Sequence, residues 1–259
     1  MRLVKGTWAA VFTAGLLSIA MAPTASGSVQ IGQLGFTDFT GYVYVNLFAD
    51  GTTTFSTLGC GGTEVCNAGT DAGTVAPGFN QLSVGGLAQV GGWDLSLNLL
   101  GTSYPPNGNA SGWLEDLAVT ADYHGGGSNQ LTVFWASNGF NSSIPGFDLK
   151  DAANTSGIAP GTTYWAGVNP GTGLLSFPYT GIGSIGANSS GSFADPTCSG
   201  NPCSTASLAE QINYTASGSS ATISDDFKLS AVPEPTSILL LGGAMALAGR
   251  ALRRKFATK

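Results

Sequence analysis

The residues best equipped for chemistry are few. The chain has one histidine, His124, and four cysteines, with fifteen aspartates and glutamates against nine lysines and arginines. His124 stands in "DYHGGGSN", where successive glycine N–H groups could in principle receive an oxyanion. An acyl-transfer site would also need a nucleophile on a G-x-S-x-G elbow and a histidine base besides. No G-x-S-x-G occurs, and no second histidine is left to act as base. The segment is therefore expected to be a Gly-rich hairpin between "LAVTADY" and "QLTVFWAS".

Carboxylates adjoin at Glu115–Asp116 and Asp225–Asp226. A glycoside hydrolase needs two carboxyl groups about 5–9.5 Å apart in a cleft. Neighbouring residues of a strand point to opposite faces, so neither pair is a ready dyad. A carboxylate can still meet one from a distant part of the chain. Acidic and amide side chains abound, yet no D-x-D-x-D-G calcium loop is present. The sequence thus assigns no catalytic residue, no metal ligand and no cofactor. Apart from Trp8 near the N-terminus, the tryptophans are Trp93, Trp113, Trp135 and Trp165. They lie in or beside alternating runs, where most aromatics belong to the core.

The charges separate the ends from the middle. Arg2 and Lys5 open the chain and Arg250, Arg253, Arg254, Lys255 and Lys259 close it. From residue 28 to 230 there are two lysines, Lys150 and Lys228, against fourteen carboxylates, a formal charge of −12. Phosphate binding needs clustered Lys and Arg, so nucleic acid is not an expected partner. Residues 1–27 read as an export signal: a basic start, the apolar "WAAVFTAGLLSIAMA", and small residues with cleavage expected after Gly27. Export places the cysteines in an oxidising compartment. Cys60 and Cys66 in "CGGTEVC", and Cys198 and Cys203 in "CSGNPC", then suit two local disulfides. A four-cysteine zinc site is the alternative, but its ligand pairs usually sit closer together.

At the other end, "VPEP" (Val232, Pro233, Glu234, Pro235) precedes fourteen uncharged residues, Thr236–Gly249, and then the basic cluster Arg250, Arg253, Arg254 and Lys255. A helix of that run covers roughly 21 Å, short of the ~30 Å hydrocarbon core. It lengthens to about residue 252 only if Arg250 snorkels to the interface. The basic cluster should stay cytoplasmic, placing the acidic body outside. The two prolines keep "VPEP" extended.

An extended tetrapeptide, a marginal apolar helix and a basic end, in that order, resemble the PEP-CTERM sorting signal of Gram-negative, exopolysaccharide-producing bacteria. This tail is also called an ice-binding protein C-terminal domain, a name that implies no ice binding here. The resemblance covers residues 231–259. It implies a precursor tethered at the inner membrane by the transient helix. An exosortase, a multi-pass membrane cysteine protease, would process the tail and pass the protein to the cell surface or the extracellular space. A second resemblance lies in "LTVFWASNGFNS" and "SLAEQINYTASGSSATISDDFKLSAVPEP". These are similar to a recurrent ectodomain type of PEP-CTERM proteins, over roughly residues 115–230, which ends in a strand pair running into the tail. The chain departs from it at Asn138 and in the added 198–203 loop, and no activity follows from it.

The elements between the ends are short alternating runs: 42–48, 93–100, 117–123, 130–137, 162–168, 208–216 and 221–230. Asp50–Gly51 marks a two-residue hairpin turn. In the last run Ala221, Ile223, Asp225, Phe227 and Leu229 share a face that one carboxylate interrupts. Many short strands with turns between them predict an all-β, jelly-roll-like β-sandwich over residues 28–230. A β-helix is the competitor, but no fixed period recurs. The function expected is that of an exported, non-enzymatic surface or matrix protein. The alternative is a carbohydrate-binding module with a matrix exopolysaccharide as partner, and the remote one a secreted hydrolase.

Overall fold

The computed structural model describes residues 28–61, 65–76, 79–103, 113–142, 146–170, 183–194, 203–231 and Met245. The expected signal peptide lies outside them, as does the sorting tail with its apolar run apart from Met245. No helix of the described residues is long and apolar enough to cross a membrane.

The described residues form fourteen strands. The first three are β1 (Gln30–Thr37), β2 (Tyr42–Phe48) and β3 (Thr53–Leu58). There follow β4 (Cys66–Ala76), β5 (Phe79–Val90), β6 (Trp93–Ser103) and β7 (Trp113–Tyr123). The rest are β8 (Gln130–Ser142), β9 (Gly146–Ser156), β10 (Thr163–Pro170), β11 (Gly183–Ile185), β12 (Ser190–Ala194), β13 (Cys203–Thr215) and β14 (Ala221–Ala231). They build two seven-stranded antiparallel sheets. Sheet A runs β11-β10-β13-β8-β1-β2-β3 and sheet B runs β12-β9-β14-β7-β6-β5-β4. From β7 onward the orders β12-β9-β14-β7 and β11-β10-β13-β8 are those of an eight-stranded jelly roll. The meander β4–β6 extends one sheet beside β7, and β1–β3 extend the other beside β8.

Period-two patterning explains how the sheets meet. In β2, Val43, Val45 and Leu47 point into a core shared with Leu95 and Leu97 of β6, Val119 of β7, Val133 and Trp135 of β8, and Phe227 of β14. Each such fully buried side chain contributes about 1.5–3 kcal/mol relative to exposure. Trp93 and Tyr123 are directly opposed across β6 and β7, with ring centroids 4.8 Å apart. Trp93 and Trp135 are thus core residues.

Strand β1 carries glycines where inward and outward side chains would stand. A Cβ on Gly35 would lie 2.0 Å from Phe134 Cε1, and one on Gly32 2.5 Å from a Trp135 ring atom. The rings of β8 fill the positions these glycines leave open. Gly35→Ala is accordingly expected to cost about 1–3 kcal/mol through overpacking. A lower denaturant midpoint at unchanged m-value would show it.

Two turns differ from expectation. The Asp50–Gly51 hairpin forms, but as a three-residue loop: the Gly51 N–H donates to Phe48 C=O at 2.9 Å, with Gly51 at φ 82°. The expected hairpin at 124–129 is a crossover instead. β7 pairs with β6 and β14, whereas β8 pairs with β1 and β13 in the other sheet. Gly125 and Gly126, at φ 77° and 90°, let the chain turn across. The Trp93 Nε1–H holds the segment through Ser128 C=O at 3.3 Å.

Candidate functional site

The two adjacent aspartates of β14 do point to opposite faces, and each finds another acid there. Asp225 faces the core, between the sheets. Its Oδ2 accepts from the hydroxyls of Tyr164 on β10 (2.6 Å) and Tyr214 on β13 (2.7 Å), both from sheet A. Beside it in sheet B, Asp151 of β9 is buried and its Oδ2 accepts the Asn188 N–H at 2.6 Å. Register places Asp151 opposite Phe227 and Asp225 opposite Ala153, so the two carboxyls are diagonal neighbours. Burial, and then the bond to Asp225, push the Asp151 carboxyl up to about 8. This favours the protonated Asp151 carboxyl beside Asp225, and the buried Oδ1 of each acid has no other hydrogen-bond partner among the described residues. Burial likewise raises both tyrosine hydroxyls, and the Asp225 bonds add to it. The interrupted apolar face of β14 is thus a polar tie joining the two sheets.

Asp226 lies on the outer face of sheet B. Lys228 Nζ reaches its Oδ2 at 2.7 Å and Asp116 Oδ2 of β7 at 3.4 Å. Burial pushes the Asp116 carboxyl up to about 7, aided by the bond to Asp226. The partners Asp116 and Lys228 hold the Asp226 carboxyl below its usual value against the cost of its burial. Lys150 on β9 stands opposite Lys228 and adds to that field. Both lysines of residues 28–230 therefore serve one outer-face acid cluster. His124 Nε2 meets Asp94 Oδ2 at 3.2 Å on the surface, where its side chain is 64% exposed. Such an exposed pair contributes little to stability.

The outer faces of the two sheets differ in charge. Sheet B presents Asp94, Asp116, Asp122, Asp148, Lys150, Asp226 and Lys228. At the described outward positions of sheet A no side chain is charged. That face carries Tyr44, Phe134, Ala136 and Ala209 as a second small apolar cluster, with Tyr42 against it. The Tyr42 and Tyr44 rings run parallel within 7°, with centroids 6.3 Å apart. Amides and hydroxyls flank them. Asn46 Oδ1 accepts from Gln30 and Gln33, and Asn213 links Thr132, Gln211 and Thr163. Trp165 stands opposite Gln211 on this face, partly exposed. This face was not among the expectations from sequence, although the outward alternation Tyr42, Tyr44, Asn46 in "YVYVNLF" was a usable signal.

Of the cysteines, Cys60 and Cys66 form a disulfide with Cα atoms 5.8 Å apart. It closes the loop where the chain leaves β3 in sheet A for β4 in sheet B, tying the sheets at that side. Cys198 lies outside the described residues, so the second expected pair does too. Among the described residues no three His, Cys, Asp or Glu side chains are grouped as metal ligands. The sorting motif Val232–Pro235 and the basic residues Arg250, Arg253, Arg254 and Lys255 also lie outside. The last described residue before them, Ala231, ends β14 paired with Phe147 of β9.

Residues 231–255 match the family model of the PEP-CTERM protein-sorting motif. The chain carries a PEP-CTERM sorting motif. The matched stretch begins on the final residue of β14, so the PEP-CTERM tail follows the sandwich without a linker. A comparison of the sequence with curated proteins finds no match. Among solved structures, the chain is similar to TmCBM61 in complex with β-1,4-galactotriose. Identity there is 10% over 54% of this chain and 88% of that one, with a TM-score of 0.27. It is also similar to a structure described under the promiscuous specificity of carbohydrate-binding modules from the β-sandwich superfamily. That match has 12% identity over 74% of this chain and 71% of that one, with a TM-score of 0.26.

Proposed function

We propose that this is an exported, non-enzymatic protein of the cell surface or extracellular matrix, processed at the inner membrane by an exosortase that reads Val232, Pro233, Glu234 and Pro235. The PEP-CTERM match at residues 231–255 carries the reading. The apolar run after Pro235 would hold the precursor and the basic cluster would orient it. The two acid pairs that do assemble are used up structurally. One is closed between the sheets under two tyrosines, and the other is neutralised by Lys228. Intact mass spectrometry of the extracellular fraction tests the reading. The mature chain should begin near Ser28 and lack everything beyond about Pro235. A chain still ending at Lys259 there would refute it.

The uncharged outer face of sheet A favours a second reading, binding of a neutral matrix polysaccharide. Tyr42 and Trp165, the partly exposed aromatics of that face, can offer rings to sugars, and the outer face of sheet B, with its seven charges, suits a neutral chain less. Native gels cast with neutral or with acidic exopolysaccharide should retard the wild type in the neutral gel only. Trp165→Ala should lose that retardation, and equal mobility of both proteins in all gels would remove the reading.

A further inference from the structure

Both ends of the folded segment leave the sandwich on one side. Three of the turns that carry the chain between sheets, at 124–129, 157–162 and 216–220, lie at the opposite end. At the near end, the Ala49 N–H donates to Val29 C=O at 2.9 Å, and the Asp50 N–H reaches Ser28 Oγ at 3.3 Å. At the same end, Ser230 pairs with Trp113 on one side and Asp148 on the other, and Ala231 pairs with Phe147. β14 is an interior strand, with two strands beyond it on one side and four on the other. Seven strands at ~4.8 Å spacing make an end face about 29 Å across. The tail thus leaves from within a broad plate, close to its middle. Val232 to Pro235 can reach at most about 14 Å before the apolar run begins.

We infer that the fold gates processing: the last residues of β14 must unpair from β7 and β9 before a protease can hold the chain upstream of "VPEP". The inference rests on the sorting reading above. A protease binds its substrate extended, with backbone hydrogen bonds of the kind a neighbouring strand would supply. From Lys228 to Ser230 both edges of the backbone are already taken by β7 and β9. Lys228, clamped to Asp226 and Asp116, and the buried Leu229 hold that end in place. Cleavage then follows the population of a locally opened state and not the motif alone.

The test uses the full precursor in its own host, followed by pulse–chase and immunoblotting. Inserting six Gly/Ser residues between Ala231 and Val232 adds up to ~20 Å of free chain and leaves the motif's distance from the apolar run unchanged. Processing should quicken about five-fold or more, because opening is no longer required. The cross-strand pair Ser230→Cys with Asp148→Cys, directly opposed on the outer face, should halt processing until reductant is added. An insertion variant no faster than wild type, or a cross-linked one processed at the wild-type rate, overturns the gating. If the wild-type precursor is never shortened, the sorting reading itself has failed.

Discussion

Replacing Asp151 by Asn will make the domain more stable than wild type in alkaline solution and will flatten its stability against pH. In the wild type, Asp151 holds a proton in the folded state up to about pH 8, whereas an unfolded aspartate loses it near pH 4. Between those values the folded chain binds more protons than the unfolded one, so stability falls as pH rises. This is the reverse of ordinary acid denaturation. The groups facing the pair are Asp225 on β14 and the hydroxyls of Tyr164 and Tyr214, which offer no positive charge to offset a second carboxylate. An asparagine reproduces the protonated form: its carbonyl accepts the Asn188 N–H and its amide donates to Asp225. The gain over wild type should be on the order of 3 kcal/mol at pH 9 and should shrink toward pH 5. Asp151→Ala, which removes the donor and leaves a void, should be less stable than the Asn variant at every pH. Urea denaturation of all three proteins from pH 5 to pH 9 decides it. A wild-type slope retained in Asp151→Asn would exclude the shared proton.

The same acid shows what a sequence can and cannot disclose. Strand β2 was legible to the residue, because Val43, Val45 and Leu47 alternate with Tyr42, Tyr44 and Asn46 and nothing breaks the period. Strand β9 was not, since Asp151 occupies an inward position and hides the alternation of Phe147, Leu149 and Ala153. Strand β1 was missed for a related reason: at Gly32 and Gly35 the filling side chains come from Trp135 and Phe134 on another strand. Propensity cannot register a ring supplied by a neighbour. That Asp225 and Asp226 diverge followed from strand geometry alone. Which acids they meet depends on pairing across the jelly roll, and that order joins residues more than seventy positions apart. The 124–129 segment likewise carries a turn composition that serves hairpin and crossover equally well. Only the partners chosen by β7 and β8 distinguish the two. The sorting tail was readable because its parts act in order along the chain, with no tertiary contact needed to bring them together.

That local character makes Glu234 the sharpest probe of the tail. Hydrophobicity and the basic cluster determine whether the apolar run inserts and which way it faces. Glu234 lies outside that run, so an ordinary anchor should tolerate Glu234→Ala without change in topology or fate. A protease that pairs this carboxylate in a pocket should not. Its own polar group would be left unmatched, costing on the order of 1–3 kcal/mol, or roughly five- to 150-fold in processing rate. Glu234→Ala should therefore be exported and inserted normally yet accumulate as precursor in the membrane fraction. Val232→Ala, which leaves the two prolines and the carboxylate in place, is expected to suffer less. Adding the Gly/Ser insertion after Ala231 to Glu234→Ala should not restore release, because freeing β14 does nothing for a recognition contact that is missing. Immunoblots of membrane and extracellular fractions read all of these outcomes. Equal release of Glu234→Ala and wild type would leave the tail as a plain anchor in which the carboxylate between two prolines is read by nothing.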